Sequence, residues 1–232
     1  MSPLTDPQWN INRACLSTWI MPSKILNAYL SRYWGCEDWH LTAFRLIRNK
    51  FLPQKVLYPG SWIHLTPSLI FPRVVYVDLP SKSSKKLLDP ELVKYIEDHL
   101  EYQEKPAIKF YYADYQSDFG DKKSSFDLLI SLSSGFVSQA CGQYLKSGGV
   151  LLANNEHYDA SLAYTDPSFR LIGVFETPEK YQESEEIIHS YFVTTKGVPI
   201  TRDMVLENSK RPPSKARYKL EKKATFYTFQ KT

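Results

Sequence analysis

The sequence has few cysteines and no long apolar run. Its 232 residues contain three cysteines, Cys15, Cys36 and Cys141, which are far apart and form no Cys-x-x-Cys pair. This odd number and this spacing exclude a disulfide framework and a zinc knuckle, and they are typical of a reduced intracellular compartment. No window approaches the roughly 18 apolar residues of a membrane helix, and the N-terminus is too polar for a signal peptide. We therefore expect a cytoplasmic protein that does not bind membranes.

The chain also lacks the composition of a disordered protein. Apolar residues make up 43% of the sequence and charged residues 23%, which is the ordinary globular range. A length of 232 residues suffices for one α/β domain with a full core plus an extension. Aromatic residues are abundant, at 14%, and we expect most of them in the core and on the surface.

Residues 126–155 predict a strand, a helix and a second strand. Residues 126–134 form a short apolar run of the kind found in a strand buried on both faces. Residues 135–146 carry apolar side chains at helical spacing. The segment Ser147-Gly148-Gly149 predicts the end of that helix, because glycine adopts the left-handed conformation that closes a helix. Val150 then begins the next strand, and the βαβ connection makes the two strands parallel.

Other elements are predicted on both sides of this unit. Residues 1–53 form an N-terminal helical cap, and residues 54–232 form a Rossmann-like domain. The predicted cap helices lie within residues 6–22, 23–35 and 38–53, and the further strands within residues 56–58, 74–78, 107–112, 169–175 and 224–230. Residues 187–194 are expected to be extended. The predicted fold is α/β, a doubly wound, mostly parallel, seven-stranded Rossmann-like sheet with an antiparallel C-terminal edge hairpin.

In an open parallel sheet, ligands bind beyond the carboxyl ends of the strands where the strand order reverses. Asp78 is the most informative residue selected by this rule, because an acid after the second strand accepts hydrogen bonds from both ribose hydroxyls of a nucleoside. Such an acid follows the first turn by about 20 residues, and the interval from Gly60 to Asp78 is close to this. The alternative for Asp78 is a helix N-cap or a solvated strand end.

The order of these motifs resembles the class I S-adenosylmethionine-dependent methyltransferase fold. The resemblance rests on the Gly60 turn, on the acids Asp78 and Asp114, and above all on Leu145-Lys-Ser-Gly-Gly-Val-Leu-Leu. That segment is similar to the Leu-Lys-Pro-Gly-Gly that the family commonly carries before its fifth strand. The resemblance covers about residues 54–176 and 224–230. It implies S-adenosylmethionine as the cofactor.

The resemblance also implies a set of cofactor-binding residues. Those at the methionine and ribose end are Tyr58, Pro59, Gly60 and Ser61. Asp78 holds the ribose hydroxyls, and Asp114 with Tyr115 lies near the adenine. The residues that face the reacting methyl group are Ser131, Leu132 and Ser133.

The first turn departs from the family pattern. The family usually reads acid-x-Gly-x-Gly-x-Gly, whereas this chain keeps only Gly60 and has Trp62 and His64 where later glycines stand. Their side chains are expected in the space where backbone normally approaches the cofactor. A nicotinamide enzyme fits less well, because it needs the second and third glycines for pyrophosphate contact and helix packing.

Two histidines are the candidate general bases. His64 and His157 both fall on the predicted ligand edge, and imidazole titrates near neutrality. The alternative for each is a hydrogen-bonded residue without a catalytic role. No metal site is predicted, because Cys36 and His40 supply two possible ligands without partners.

The last strongly charged segment, residues 209–223, holds seven basic residues against one acid. Such a segment can contact the phosphates of a nucleic acid between Lys210 and Lys223, and a solvated loop is the alternative. The chain lacks the Asp/Asn-Pro-Pro-Tyr and Cys-Pro motifs that nucleic acid methyltransferases of this fold carry after the fourth strand. We therefore expect a methyltransferase acting on a small molecule, with the helical cap as its lid. The alternative is a non-catalytic binding or assembly protein that has lost cofactor binding on the same fold.

Overall fold

The computed structural model describes residues 22–79 and 89–232. The helix predicted within residues 6–22 lies outside the described residues. The helices bounded by the structure are α1 (Lys24–Tyr33), α2 (His40–Phe51), α3 (Pro67–Ile70), α4 (Pro90–Asp98), α5 (Val137–Cys141), α6 (Asp159–Tyr164), α7 (Glu185–His189) and α8 (Arg202–Ser209). Within the described ranges, every helix is too short or too polar to cross a bilayer.

Eight strands form one mixed sheet in the order β3-β2-β1-β4-β5-β8-β6-β7. They are β1 (Val56–Pro59), β2 (Arg73–Asp78), β3 (Ala107–Tyr112), β4 (Phe126–Ser131), β5 (Leu145–Ala153), β6 (Phe169–Thr177), β7 (Lys180–Gln182) and β8 (Phe226–Lys231). β1 to β5 pair in parallel, and β6, β7 and β8 pair antiparallel. The strand order reverses between β1 and β4, which places a topological switch point there. This arrangement confirms the predicted α/β fold class.

Alternate strand residues enter two separate cores, one on each face of the sheet. On one face, Val56 and Tyr58 of β1 pack in a core shared with α1, α2, α3 and α4. On the other face, Leu57 packs in a core shared with α5, α6, α7 and α8. Each face therefore buries the apolar stripe of several helices, as in a doubly wound sheet. Because α1 and α2 contribute to the first core, the described part of the predicted cap, residues 22–53, packs directly on the sheet.

Several helix ends follow local sequence, although α2 begins after Trp39 without a side-chain cap. Ser23 caps α1 by accepting the Leu26 backbone N–H at 3.1 Å. α2 ends at Phe51, one residue before the left-handed Leu52, and Pro53 follows. Asp89 caps α4 in the same way as Ser23 caps α1.

The prediction for residues 135–149 was wrong in detail. The helix is short, a 3₁₀ turn (Gly142–Tyr144) follows it, and β5 already begins at Leu145. Gly148, with φ +77°, lies within β5 and does not end a helix. The reason is strand pairing: Leu145 pairs with Phe126, and the register then shifts, so the glycines accommodate an irregularity in a strand.

The C-terminal half of the sheet also differs from the prediction. The sheet has eight strands, and β8 lies between β5 and β6 instead of at the edge. Phe226 faces one core and Tyr227 faces the other, so both sides of β8 are buried as in an interior strand. The edge hairpin consists of β6 and β7. Residues 187–194 are not extended, because α7 and a 3₁₀ turn (Ser190–Phe192) occupy most of them.

Candidate functional site

The turn after β1 and the carboxylate at the end of β2 lie side by side at one rim of the sheet. Pro59 pairs with Val77 in the parallel register, and the Gly60 backbone N–H donates to the Val77 carbonyl at 2.8 Å. Gly60 has φ +64°, in the left-handed region that favours glycine. Asp78 follows Val77 directly, so Gly60 and Asp78 are neighbours at this rim.

The Asp78 carboxylate is a hydrogen-bond acceptor for backbone groups of both loops. One oxygen accepts the Trp62 backbone N–H at 2.6 Å, and the other accepts the Leu79 N–H at 2.7 Å. The residue is half-buried. An ionised carboxylate offers about four acceptor positions, so both oxygens retain a lone pair for a hydroxyl group.

Trp62 and His64 leave the turn in different directions. The Trp62 ring is 40% exposed, and the guanidinium carbon of Arg32 lies 5.4 Å from its centre. His64 is only 2% exposed and lies in the interior beside Tyr58 and Asp38. His64 therefore lies beneath the rim where the sequence placed it, whereas Trp62 stands at the surface.

The loops after β1, β3 and β4 contact one another above the turn. The Ser134 hydroxyl donates to the Pro59 carbonyl at 3.2 Å, and the Tyr115 hydroxyl donates to the Ser134 carbonyl. A Cβ atom placed on Gly60 would stand 2.3 Å from the Ser134 Cβ. Gly60 is therefore required here for close approach as well as for its backbone conformation.

The predicted residues after β4 occupy different surroundings. Ser131 is buried and donates to the Asp159 carboxylate at 2.6 Å. The Ser133 backbone N–H donates to the side-chain oxygen of Asn154 at 3.0 Å, which joins this loop to the loop after β5. Leu132 is buried between them.

Asp114 and Tyr115 follow β3 at the same rim, where Asp78 pairs with Tyr112. Asp114 is exposed, and its carboxylate accepts the Gln116 backbone N–H at 2.9 Å. Tyr115 is half-buried, and burial raises the pKa of its phenol. Asp114 thus presents a carboxylate to solvent two residues beyond the end of β3.

A cavity of about 960 Å³ opens beside these loops, at the carboxyl ends of β1, β4 and β5. The predicted residues that line it are Tyr58, His64, Leu132 and Ser133. Helix α1 contributes Arg32 and Tyr33, and the start of α2 contributes His40 with the preceding Trp39. The volume is at the upper end of the range for small-molecule sites, about 300–1,000 Å³.

The basic segment forms another part of the cavity wall. Tyr218, Lys219 and Lys223 line the cavity. Asn208, which is buried at the end of α8, donates from its side-chain amide to the Tyr218 carbonyl at 3.1 Å and accepts the Arg217 backbone N–H at 2.7 Å. The middle of residues 209–223 is therefore anchored to α8, while most of the segment is exposed to solvent.

A buried polar network centred on Asp38 lies behind one wall of the cavity. One carboxylate oxygen accepts His64 Nε2–H and the Thr66 hydroxyl, both at 2.7 Å. The other accepts His40 Nδ1–H at 2.6 Å and the His40 backbone N–H at 2.9 Å. The Tyr58 hydroxyl completes the chain by donating to His64 Nδ1 at 2.9 Å. Each oxygen of Asp38 thus has two donors.

The surroundings of Asp38 and His64 set the protonation states of these two side chains. Burial alone would raise the pKa of Asp38, but hydrogen bonds from His40 and His64 outweigh burial and hold the pKa well below its usual range. Burial lowers the pKa of His64 to about 4, despite its bond to Asp38. At neutral pH, Asp38 is therefore a carboxylate and His64 a neutral imidazole.

Asp38, His40 and His64 also form a group of the type that binds metal ions, since their ligand atoms lie within 4.8 Å of one another. The sequence predicted only Cys36 and His40 as possible ligands. The hydrogen bonds within the network already account for the positions of the three side chains.

The structure brings only part of the predicted set to the cavity. His157 is exposed between β5 and α6 and does not line the cavity, whereas the neighbouring Glu156 and Tyr158 do. Asp78 and Asp114 lie at the same rim but outside its wall. Sequence reasoning missed Asp38 and His40 as site residues. Their spacing at a helix start signals only capping, and Asp38 does accept the His40 N–H.

Comparisons with protein-family models and with curated proteins found no match. Among solved structures, a methyltransferase from Geobacter sulfurreducens is similar at 14% identity and a TM-score of 0.46, over 67% of this chain and 86% of that chain. An O-methyltransferase from Bacillus cereus, in complex with SAH, is similar at 9% identity and a TM-score of 0.45, over 71% of this chain and 90% of that chain. These likenesses concern the fold, which the strand order establishes independently. The pairing of the strands shows the mostly parallel α/β sheet that the sequence predicted.

Proposed function

We propose that this protein is an S-adenosylmethionine-dependent methyltransferase acting on a small-molecule acceptor. The observation that carries the proposal is the position of the cavity. It opens at the carboxyl ends of β1, β4 and β5, at the switch point of the sheet, and Tyr58, two residues before Gly60, lines it. In sheets of this kind, ligands bind at that point.

The residues at the rim fit the nucleoside part of the cofactor. The half-buried Asp78 carboxylate has acceptor capacity left for ribose hydroxyls, and the exposed Asp114 carboxylate can accept from an amino group. Ser61 in the β1 turn is buried, and its hydroxyl has no hydrogen-bond partner among the described residues. A buried hydroxyl without a partner costs free energy, so a ligand that supplies the missing bond is favoured here.

When bound, S-adenosylmethionine supplies a methyl group on a sulfonium that is already activated for transfer. The remaining task of the protein is to position the acceptor and to exclude water. Aromatic rings of Tyr33, Trp39 and Phe226 provide apolar walls for that purpose. Tyr58 in β1 and Ser133, two residues after β4, also line the cavity.

A second candidate function is a non-catalytic binding protein on the same fold. The contact between Ser134 and Gly60 favours it, because Ser134 fills the space directly over the turn. The Tyr115 hydroxyl holds the Ser134 carbonyl in this position. If this contact persists in solution, the cofactor is excluded, and the cavity serves binding alone.

Calorimetric titration with S-adenosylmethionine and S-adenosylhomocysteine tests the first function against the second. We expect micromolar affinity for both ligands, and at least a tenfold loss in Asp78→Asn, because the neutral amide replaces a charged acceptor of two hydroxyls. Asp98→Asn, at an exposed acid on α4, is the matched control and keeps the wild-type affinity. Absence of heat for both ligands at millimolar concentration would refute the methyltransferase proposal and support the binding protein.

A further inference from the structure

The Asp38 network leaves one imidazole nitrogen for a ligand in the cavity. Both ring nitrogens of His64 are used, by Asp38 and by Tyr58. His40 uses only Nδ1, and its Nε2 has no hydrogen-bond partner among the described residues. The His40 side chain is 14% exposed and lines the cavity, whereas that of His64 is 2% exposed. His40 is therefore the imidazole that a bound molecule can reach.

The geometry around His40 is that of an oriented base. Asp38 receives both the Nδ1–H and the backbone N–H of His40 on one oxygen, which fixes the tautomer with the lone pair on Nε2. Trp39 stacks on the His40 ring at 3.8 Å between ring centres and holds the orientation of the ring.

The surroundings of His40 select the shape of the acceptor. The Trp39 ring is also stacked with Phe226, at 5.5 Å and an angle of 6° between planes. Tyr33 and Tyr218 line the same cavity. The Trp39 and Phe226 rings beside His40 and the other aromatic side chains of the lining provide apolar surface that suits a planar aromatic ring.

The charged side chains that line the cavity favour an anionic acceptor. The lining includes three cationic side chains, Arg32, Lys219 and Lys223, against the single carboxylate of Glu156. Within residues 22–79 and 89–232, none of these three cations forms an ion pair with a carboxylate. An anionic group on the ligand would therefore find unpaired positive charge in the cavity.

From these contacts we infer that His40, oriented by Asp38, is the base that deprotonates the hydroxyl group of an anionic aromatic acceptor, whose charged group binds Lys219 and Lys223. The later methylation of the acceptor oxygen rests on the proposed function. The proton transfer to His40 does not depend on it. The O–H bond of the acceptor breaks, its proton goes to His40 Nε2, and the electron pair stays on the oxygen. The products are a phenolate and an imidazolium, which later releases its proton to solvent.

The test uses a chromophore of the inferred class, 4-hydroxy-3-nitrobenzoate, whose phenol and phenolate differ in absorbance. Its ionisation is followed by spectroscopic pH titration, free and bound to the full chain. We expect binding to increase the ionisation constant of the phenol at least tenfold in the wild type. In His40→Asn this increase is lost, because Asn keeps a donor to Asp38 at the position of Nδ1 but has no Nε2.

Two further variants separate the base from the anion site. The double variant Lys219→Gln/Lys223→Gln is expected to weaken probe binding at least tenfold. The probe that does bind should still show the increased ionisation constant. His99→Gln, at an exposed histidine that follows α4 and does not line the cavity, is expected to match the wild type in both measurements. Circular dichroism melting confirms that each variant is folded.

Failure of this inference is distinguishable from failure of the proposed function. If the wild type binds S-adenosylhomocysteine but His40→Asn ionises the probe like the wild type, the base assignment is wrong and the methyltransferase proposal stands. If the probe ionises as inferred but no cofactor binds, the assignment of His40 as a base is supported and the methyltransferase proposal is wrong. If the probe does not bind the wild type at all, the inferred acceptor class is wrong.

Discussion

Ser134 lies directly over Gly60, so that a Cβ atom on Gly60 would stand 2.3 Å from the Ser134 Cβ. Gly60 also has φ +64°. Both the left-handed turn and the position of the loop after β4 therefore require a residue without a side chain at position 60. This contact lies at the rim where the nucleoside is proposed to bind, and it links stability to the shape of the site.

Gly60→Ala is expected to destabilise the protein by about 3 kcal/mol, because it combines backbone strain with overpacking. Gly120→Ala is the matched control, since Gly120 has φ +83° but nothing within 4 Å of a Cβ. The control should lose only about 1 kcal/mol. Urea unfolding measures both values. Equal losses in the two variants would show that the Ser134 contact does not constrain the turn.

The free energy of unfolding is expected to decrease as the pH is lowered, because of His64. The pKa of His64 is about 4 in the folded state against an ordinary 6.5, so the unfolded chain takes up a proton that the folded chain refuses. Stability is therefore lost as pH falls from about 6.5 to about 4. The loss at about pH 5 relative to about pH 7.5 is on the order of 2 kcal/mol.

Urea unfolding at the two pH values measures this dependence. His64→Gln removes the titrating group, so this variant should be less stable at neutral pH but less sensitive to acid over the same range. An unchanged pH dependence in His64→Gln would exclude His64 as its source.

Asp159 is expected to be a structural carboxylate. It is buried and accepts hydrogen bonds from the Ser131 hydroxyl and from the backbone N–H and hydroxyl of Ser138. Asp159→Ala leaves these donors without partners, so we expect a loss of about 2–4 kcal/mol in urea unfolding. Asp98→Ala, at an exposed ion pair, should cost less than about 0.5 kcal/mol. A loss as small as that of the control would contradict this role.

Trp62→Gly is expected to strengthen cofactor binding. Trp62 has φ +51° and an exposed ring, so glycine relieves backbone strain and opens the turn beside the proposed nucleoside site. We expect at least a threefold gain in calorimetric affinity for S-adenosylhomocysteine. Trp34→Gly is the control, because Trp34 also has a positive φ, 62°, and an exposed ring but lies at the end of α1. A gain of the same size in both variants would show that the effect comes from general stabilisation and not from opening the turn.

Local sequence predicted most of the sheet. Runs such as residues 74–78 and 126–131 are apolar, short and bounded by polar residues, and these properties depend on few distant contacts. The start of β5 was missed because Ser147-Gly148-Gly149 is also a helix-ending pattern, and only pairing with β4 decides between the two. The position of β8 was missed for the same reason, since strand neighbours are set by tertiary packing.

The candidate site was predicted in part. The rule of the strand ends placed Gly60 and Asp78 at one rim, because register fixes that geometry. The Asp38 network was missed because Asp38 and His64 are 26 residues apart and meet only when the cap packs on the sheet. No period or motif in the sequence encodes that contact.

The place of β8 between β5 and β6 sets the order in which the chain can assemble. During synthesis, the parallel strands β1 to β5 emerge from the ribosome long before residues 226–231. Until then the hairpin of β6 and β7 has no strand through which to join them, and β5 presents an open flank to other nascent chains. Completion of this sheet therefore waits for β8, and until β8 is inserted the unpaired flank of β5 is open to pairing with other chains.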